Sequence, residues 1–365
     1  MFFLHFIFTT DQHMTPFHKT LSIWFQQNRR DLPWRHNNNP YLVWISEIIL
    51  QQTRVEQGLP WYLRFIERFP DIKTLAEASE EDVLLVWQGL GYYTRARNLH
   101  KAARQIMLQF NGEFPGFFDQ IRNLKGVGDY TASAIASISF GLPHAVLDGN
   151  VFRVLARIFG VFTPIDTTQG KKEFARLADS LLDKKNPGAY NEALMDFGAL
   201  QCKPLNPICS ECPFESQCYA LKNHQIEYLP VKSKKTAQRN RYFNYLLIRY
   251  NEQFYLQKRK EDDIWKNLYQ LPLIETELDL KETEVLSSSR FKEILKNSTP
   301  VIECISPGII HQLSHQKLFI RFINIRLDQP VSLNEYSLVP VGQLFSFPFP
   351  KPLNEYLLKE LNKTI

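Results

Sequence analysis

Residues 124–150 read LKGVGDYTASAIASISFGLPHAVLDGN. Gly126 and Gly128 flank Val127 between two apolar periodic segments, where glycines permit positive φ and close approach of another backbone. Successive backbone N–H groups ahead of a helix form an anion nest suited to a phosphate. The stretch therefore predicts a tight hairpin, a helix, a short loop and a polar helix start. Asp148 stands at the mouth of the next helix, VFRVLARIF. A bare Gly-x-Gly is weak and most often marks only a turn; the hairpin and the aspartate together are what give the stretch weight.

The rest of the composition frames it. The chain has 365 residues, enough for two domains. Its 44% hydrophobic residues suffice for a sizeable core. Of the net charge of +5, most sits in residues 226–241, where five Lys or Arg face one Glu. That segment, ending VKSKKTAQRNR, is either a solvated linker or a basic strap beside nucleic acid. No apolar run approaches the ~20 residues that span a bilayer. The opening FFLHFIF lacks a basic region and a small-residue cleavage site, so Met14 is expected to be the working start.

Helical periodicity runs through the first two thirds. Phe17, Leu21, Trp24 and Phe25 fall on one face. Asn39 can cap and Pro40 can open a helix running to about Gln51. Glu47 lies in it among Trp44, Ile45, Ile48, Ile49 and Leu50. It belongs to a narrow polar stripe or it is buried; a buried carboxylate has a raised pKa, as a general acid at neutral pH requires. Further helices are expected at 58–68, 71–77, 80–88, 94–110, 149–160, 171–183 and 188–200. The loop Gly89-Leu90-Gly91-Tyr92-Tyr93 offers either core aromatics or a wedge for a base stack.

Cys202, Cys209, Cys212 and Cys218 follow with spacing C-x6-C-x2-C-x5-C. Four cysteines within seventeen residues, in a chain with five, point to a metal centre and not to a disulfide framework. Zinc usually takes two close pairs and this loop has one, though zinc stays open on spacing alone. After the basic segment the period becomes alternating. FNYLLIRY and QFYLQKR read as strands around a turn at Asn251 and Glu252, residues 280–297 as helix, 301–312 and 317–327 as a second hairpin, and 351–362 as a terminal helix. Cys304 reads as a buried free thiol on a strand.

LKGVGDYTA followed by LDGNV resembles the helix-hairpin-helix DNA glycosylase superfamily. LPWR at 32–35, WISEIILQQTRV at 44–55, GLGYYTRARNLH at 89–100, NEAL at 191–194 and the cysteine loop extend the resemblance to the adenine DNA glycosylases over essentially everything after Met14. The resemblance implies a multidomain chain. An all-α glycosylase domain would span 14–225, with a six-helix barrel at about 38–140 and an iron–sulfur module from 14–37 and 141–225. A linker at 226–241 and an α+β Nudix-like recognition domain at 242–365 would follow.

Carried over by position, the resemblance makes Glu47 the general acid and Asp148 the stabilising anion, with Tyr130 and Asn150 in support. Trp34, Arg35 and Glu192 would line the pocket for an extruded adenine. Gln52, Leu90 and Tyr92 would probe or wedge the stack, and Gly126 and Gly128 would grip the backbone. The four cysteines would hold a [4Fe–4S] cluster. The implied partner is duplex DNA carrying adenine opposite 8-oxoguanine or guanine, met by a monomer in the bacterial cytoplasm at the nucleoid. Two departures stand out. Tyr130 occupies the place of the Schiff-base lysine of endonuclease III-type lyases, which favours a monofunctional enzyme over that bifunctional alternative. The loop expected to sense 8-oxoguanine reads Leu313-Ser314-His315, with an aliphatic residue where the family has phenylalanine. The Nudix hydrolase box requires a glycine and spaced glutamates; residues 272–297 hold no glycine, so phosphate hydrolysis is not expected. A non-catalytic DNA-binding protein is a third reading, opposed by intact Glu47 and Asp148.

Overall fold

A computed structural model describes residues 16–233, 238–296, 298–333 and 335–361. Residues 1–13, the proposed start at Met14, and Lys234 and Lys235 of the basic segment lie outside the described residues. In chain order the helices are α1 (Phe17–Asn28), α2 (Pro40–Leu50), α3 (Val55–Arg68), α4 (Ile72–Glu77), α5 (Glu80–Trp87), α6 (Thr94–Phe110), α7 (Phe118–Arg122), α8 (Asp129–Phe140), α9 (Gly149–Phe159), α10 (Thr168–Leu181), α11 (Pro187–Leu200) and α12 (Tyr219–Lys222). The C-terminal part adds strands β1 (Arg239–Tyr250), β2 (Gln253–Lys258), β3 (Tyr269–Gln270) and β4 (Leu273–Thr276). It continues with α13 (Glu282–Ser287), α14 (Ser289–Ile294), β5 (Val301–Ile305), β6 (Ile309–Gln312), β7 (Gln316–Leu327), β8 (Ser337–Pro340) and α15 (Lys351–Leu361). A helical part is thus followed by an α+β part, as the change from helical to alternating period after the basic segment implied.

The chain forms two compact units that do not follow chain order. One takes the described residues up to Arg54 and resumes at Ala102 as far as the linker; the other joins Val55–Lys101 to the C-terminal part. In the first unit, Leu21, Trp24 and Phe25 of α1 pack on Val154, Leu155 and Phe197 from α9 and α11. The Asn39 side chain accepts from the Tyr41 N–H at 2.9 Å and Pro40 opens α2, the cap chemistry legible in NNNP. Between α7 and α8, the Val127 N–H donates to the Leu124 carbonyl and Gly126 adopts φ +81°.

In the second unit, β1 and β7 run parallel, paired from Arg239 with Gln316 to Tyr250 with Leu327. The sheet order is β3-β2-β1-β7-β5, with β4 also on β1, β6 on β7 and β8 on β2. Its helix-covered face is built from Leu246, Ile248, Ile323 and Ile325 against Val285, Phe291 and Ile294.

Several expectations need correction. Gly128 is extended (φ −101°), so of the two glycines only Gly126 is held in the left-handed region. The span 301–312 is two strands, β5 and β6, both on β7. Cys304 is exposed, not buried. A register shift between Ile302 and Cys304 breaks the alternation on which burial was read, and β5 lies at the sheet edge. Residues 280–297 divide at Ser288, whose side chain accepts from the Phe291 N–H to cap α14. The basic segment loses its last member, because Arg241 belongs to β1 and is only 8% exposed.

Candidate active site

Glu47 projects from the middle of α2, a helix otherwise buried from Val43 to Ile49. It keeps partial exposure. Burial of its carboxyl raises the pKa to about 7; a hydrogen bond with Tyr130 pulls it down, the Asp148 charge pushes it up, Arg35 lowers it and Glu192 raises it. The residues nominated from four separate stretches are therefore one electrostatic cluster. Tyr130, in the first turn of α8, also donates to the Met195 sulfur at 3.3 Å, and burial beside two acids holds its pKa well above the usual phenol value.

Asp148 caps α9. Its Oδ1 accepts from the Val151 N–H at 2.7 Å and its Oδ2 from Asn150 Nδ2 at 2.8 Å. Burial raises its pKa and these hydrogen bonds oppose the rise. The helix-cap reading and the functional reading thus hold together, since cap donors and a helix N-terminus both favour the anion. Asn150 is itself held: Arg153 Nη2 donates to Asn150 Oδ1 at 2.8 Å and to the Gly198 carbonyl at 2.7 Å, while Arg153 Nε donates to the Cys202 carbonyl at 2.7 Å. This approach of α11 requires a glycine, because a Cβ at Gly198 would stand 2.6 Å from the Asn150 Cβ.

On the other side, Trp34 and Arg35 are buried in a short 3-10 turn, Pro33–Arg35. Arg35 Nε lies 3.1 Å from Glu192 Oε1. Its two terminal nitrogens donate to Asp196 at 2.8 and 3.1 Å. Asp196 is fully buried and also accepts from Arg30 Nε at 3.0 Å. The pair of guanidiniums holds the Asp196 carboxyl below its usual range, against the opposing effect of burial.

Asp196 and Asn191 are residues that reading the sequence missed. Asn191 Nδ2 donates to Ser137 Oγ and to the His144 carbonyl, each at 2.8 Å, and its Oδ1 accepts from the Val146 N–H. It thereby fixes the loop that delivers Asp148. The one hint was its place in NEAL; nothing in helical periodicity separates it from a solvent-facing asparagine.

The remaining nominated residues form other groups. Gln52 is exposed in the turn after α2 with φ +58°, and Gly126 and Gly128 are exposed at the α7–α8 hairpin. In the second unit the glycine loop divides its aromatics. Tyr93 is buried and its hydroxyl donates to the Phe349 carbonyl at 3.2 Å, whereas Tyr92 is 48% exposed with φ +50°. Leu90 beside it is half-buried. The Tyr92 hydroxyl lies 2.6 Å from Ser314 Oγ, and the Arg95 guanidinium sits 5.3 Å from the Tyr92 ring. Ser314 and His315 are exposed and Leu313 is half-buried at the tip between β6 and β7.

All four clustered cysteines are free thiols lining one cavity, with Ile158, Phe197 and Leu221 among its walls. Burial raises the thiols of Cys209, Cys212 and Cys218, and each is raised further by Cys202. Among the described residues no three His, Cys, Asp or Glu are arranged to hold a single metal ion.

Chemically, the first unit places a carboxylic acid that keeps its proton to near neutrality beside a capped carboxylate. That pairing can protonate a leaving group and stabilise the cation left behind. The description "HhH-GPD superfamily base excision DNA repair protein" matches residues 45–182, which carry Glu47, the hairpin and Asp148, and a NUDIX domain matches residues 244–359. An adenine DNA glycosylase of Buchnera aphidicola subsp. Baizongia pistaciae is 36% identical over 86% of this chain and 87% of its own length. That of Buchnera aphidicola subsp. Acyrthosiphon pisum is 37% identical over 83% and 85%. Among solved structures, a thermostable thymine-DNA glycosylase is 29% identical with a TM-score of 0.53, over 57% of this chain and 95% of that one. With both parts matched in order and the similarity running nearly end to end, this chain belongs to the adenine DNA glycosylase family of base-excision repair enzymes.

Proposed function

We propose that this enzyme is monofunctional and removes adenine paired with 8-oxoguanine or guanine in duplex DNA, with Glu47 as general acid and Asp148 as the stabilising anion. The observation that carries the reading is the Glu47 carboxyl, which burial keeps protonated to about pH 7 within the field of Asp148. The target base must leave the stack, because neither its N7 nor the sugar carbon is reachable in a closed duplex. Glu47 then donates its proton to adenine N7, and the C1′–N9 bond breaks with its electrons going to the base. The sugar is left as an oxocarbenium-like cation, which the Asp148 carboxylate stabilises until water adds at C1′ and loses a proton. Arg35, Trp34 and Glu192 would bound the adenine pocket. No amine stands at Tyr130 to form a Schiff base, so strand cleavage is not part of the reaction.

Other features are consistent with the DNA partner. The α7–α8 hairpin presents Gly126 and Gly128 to solvent ahead of a helix N-terminus, a site for a backbone phosphate. Leu90, Tyr92 and Gln52 would enter the stack, two of them on left-handed backbone. Ser314 and His315 would read the partner base from the hairpin tip, in a domain that has lost the hydrolase box. The four cysteines fit a [4Fe–4S] cluster: the donors are four free thiols that line one cavity together. When bound, such a cluster supplies a staple for the 202–218 loop. An enzyme acting on chromosomal DNA would work in the cytoplasm at the nucleoid, as a monomer.

A duplex with a single adenine opposite 8-oxoguanine tests the reading. Strand breakage that appears only after alkali supports it. Breakage without alkali identifies a lyase, and binding without either identifies a non-catalytic protein. The same preparation is expected to carry about four irons per chain; zinc without iron after anaerobic purification would overturn the cluster.

A further inference from the structure

Arg241 lies near the start of β1 and all five of its N–H donors are engaged. Nε and Nη2 donate to the Glu275 carboxylate at 2.7 and 2.8 Å. Nη1 and Nη2 donate to Asp263 at 2.9 and 2.8 Å. Nη1 donates as well to Gln316 Oε1 at 3.2 Å. Gln316 is the first residue after the tip Leu313-Ser314-His315. The Leu313 N–H donates to the Gln316 carbonyl at 2.8 Å, and the Arg239 N–H to the His315 carbonyl at 3.0 Å. The guanidinium therefore grips the root of the tip through a side chain, on the strand that already grips it through its backbone.

A second route leads to the same tip. Asp263 also accepts from Arg259 Nη2 at 3.0 Å, and the Asn267 N–H donates to the Arg259 carbonyl, so residues 259–268 form a closed loop on this cluster. Trp265 in that loop, at φ +62°, packs its ring 6.0 Å from His311 of β6. Both strands of the hairpin are thus referred to one ionic cluster of two arginines and two carboxylates.

Such a cluster is a poor choice for stability alone. Removing Arg241 and Arg259 from water carries a desolvation cost that the ion pairs offset, and apolar residues of like volume would stabilise as well. A planar five-donor fork is suited to fixing direction, and lysine cannot replace it. We infer that Arg241 is the positioning residue of the Leu313–His315 tip: it sets where Ser314 stands against Tyr92, and through that the discrimination between 8-oxoguanine and guanine. The inference rests on the reading of the tip as the sensor of the partner base.

The test uses the full-length protein and measures single-turnover excision from adenine opposite 8-oxoguanine and opposite guanine, with thermal melting alongside. Arg241→Lys is expected to narrow the ratio of the two rates by roughly three- to tenfold, the span of one hydrogen bond. Gln316→Ala, which removes only the link to the tip and leaves the ionic cluster intact, is expected to narrow it in the same direction even where Arg241→Lys folds poorly. In a Ser314→Ala background neither change is expected to narrow it further, because both act through that serine. A lower melting temperature with both rates falling together and the ratio unchanged would make Arg241 merely structural and overturn the inference. A wild-type enzyme with no preference for 8-oxoguanine would instead remove the reading of the tip itself, and the inference with it.

Discussion

A carboxyl whose pKa is raised to near 7 can serve as an acid at neutral pH and costs the fold stability at the same residue. Glu47 is raised from about 4.5 to about 7, chiefly by burial. Between those values the folded chain holds a proton that the unfolded chain has lost, so stability falls as pH rises across that window and the full cost remains above it. At about 1.4 kcal/mol per pH unit the window carries on the order of 3 kcal/mol. Glu47→Gln keeps the shape and cannot titrate. It is expected to bind the lesion duplex, to lose roughly 10²–10⁴-fold in excision, and to gain stability on the wild type as pH goes from 5 to 8. Melting curves across that range check the second part; a parallel pH dependence in both proteins would remove the buried acid. The position of Glu47 was legible because an acid interrupts an apolar helix. Whether it was buried was not, because that depends on α8 and α9, more than eighty residues away in sequence. Asp196 and Arg153 were not legible at all, since only their partners distinguish them from ordinary helical surface charges.

At the scale of an element, the α7–α8 hairpin separates two roles that two glycines share in sequence. Gly126 is at φ +81°, where a side chain is strained, whereas Gly128 is extended and a Cβ there meets nothing within 4 Å. Gly126→Ala is therefore expected to destabilise the fold by about 1–2 kcal/mol, and Gly128→Ala to leave melting unchanged. Both are expected to weaken duplex binding, since each puts a methyl group where a phosphate backbone would approach. Equal melting temperatures for the two variants would contradict the conformational argument; unchanged binding by Gly128→Ala would remove the hairpin from the interface. Helices of this chain were readable to within a few residues because caps such as Asn39-Pro40 and apolar faces are local. The five-residue α7 escaped notice, being too short for a period to show. The strands were harder for the same reason in reverse. The break between β5 and β6 and the exposure of Cys304 follow from pairing with β7 and from a bulge, and neither is written in alternation alone.

At the scale of the molecule, the division into units crosses the order of the chain, and no periodic pattern signals it. Val55–Lys101 belongs with the C-terminal part through bonds that span more than 150 residues. The Lys258 ammonium lies 2.6 Å from Glu81, and the Tyr269 hydroxyl donates to Glu81 at 3.1 Å. The Phe349 N–H donates to Gln88 Oε1 at 3.0 Å, and Arg97 donates to the Lys266 carbonyl at 2.8 Å. These bonds frame the loop that carries Leu90 and Tyr92, and Tyr92 itself meets Ser314. The Leu90–Tyr92 loop and the Leu313–His315 tip are thus parts of one unit, so removing the C-terminal part should do more than delete the tip. A chain ending at Ser233 leaves the buried Tyr93 hydroxyl and the Gln88 amide without these partners. Its amides from 80 to 97 are expected to exchange hydrogen faster than in the full chain, because local stability follows buried contacts. Excision of adenine should persist, as Glu47, Tyr130 and Asp148 all lie in the other unit, while the preference for 8-oxoguanine over guanine should shrink. Exchange rates at 80–97 unchanged by the truncation would show that this segment is held by the helical part alone, and the loss of preference would then have to be assigned to the missing tip.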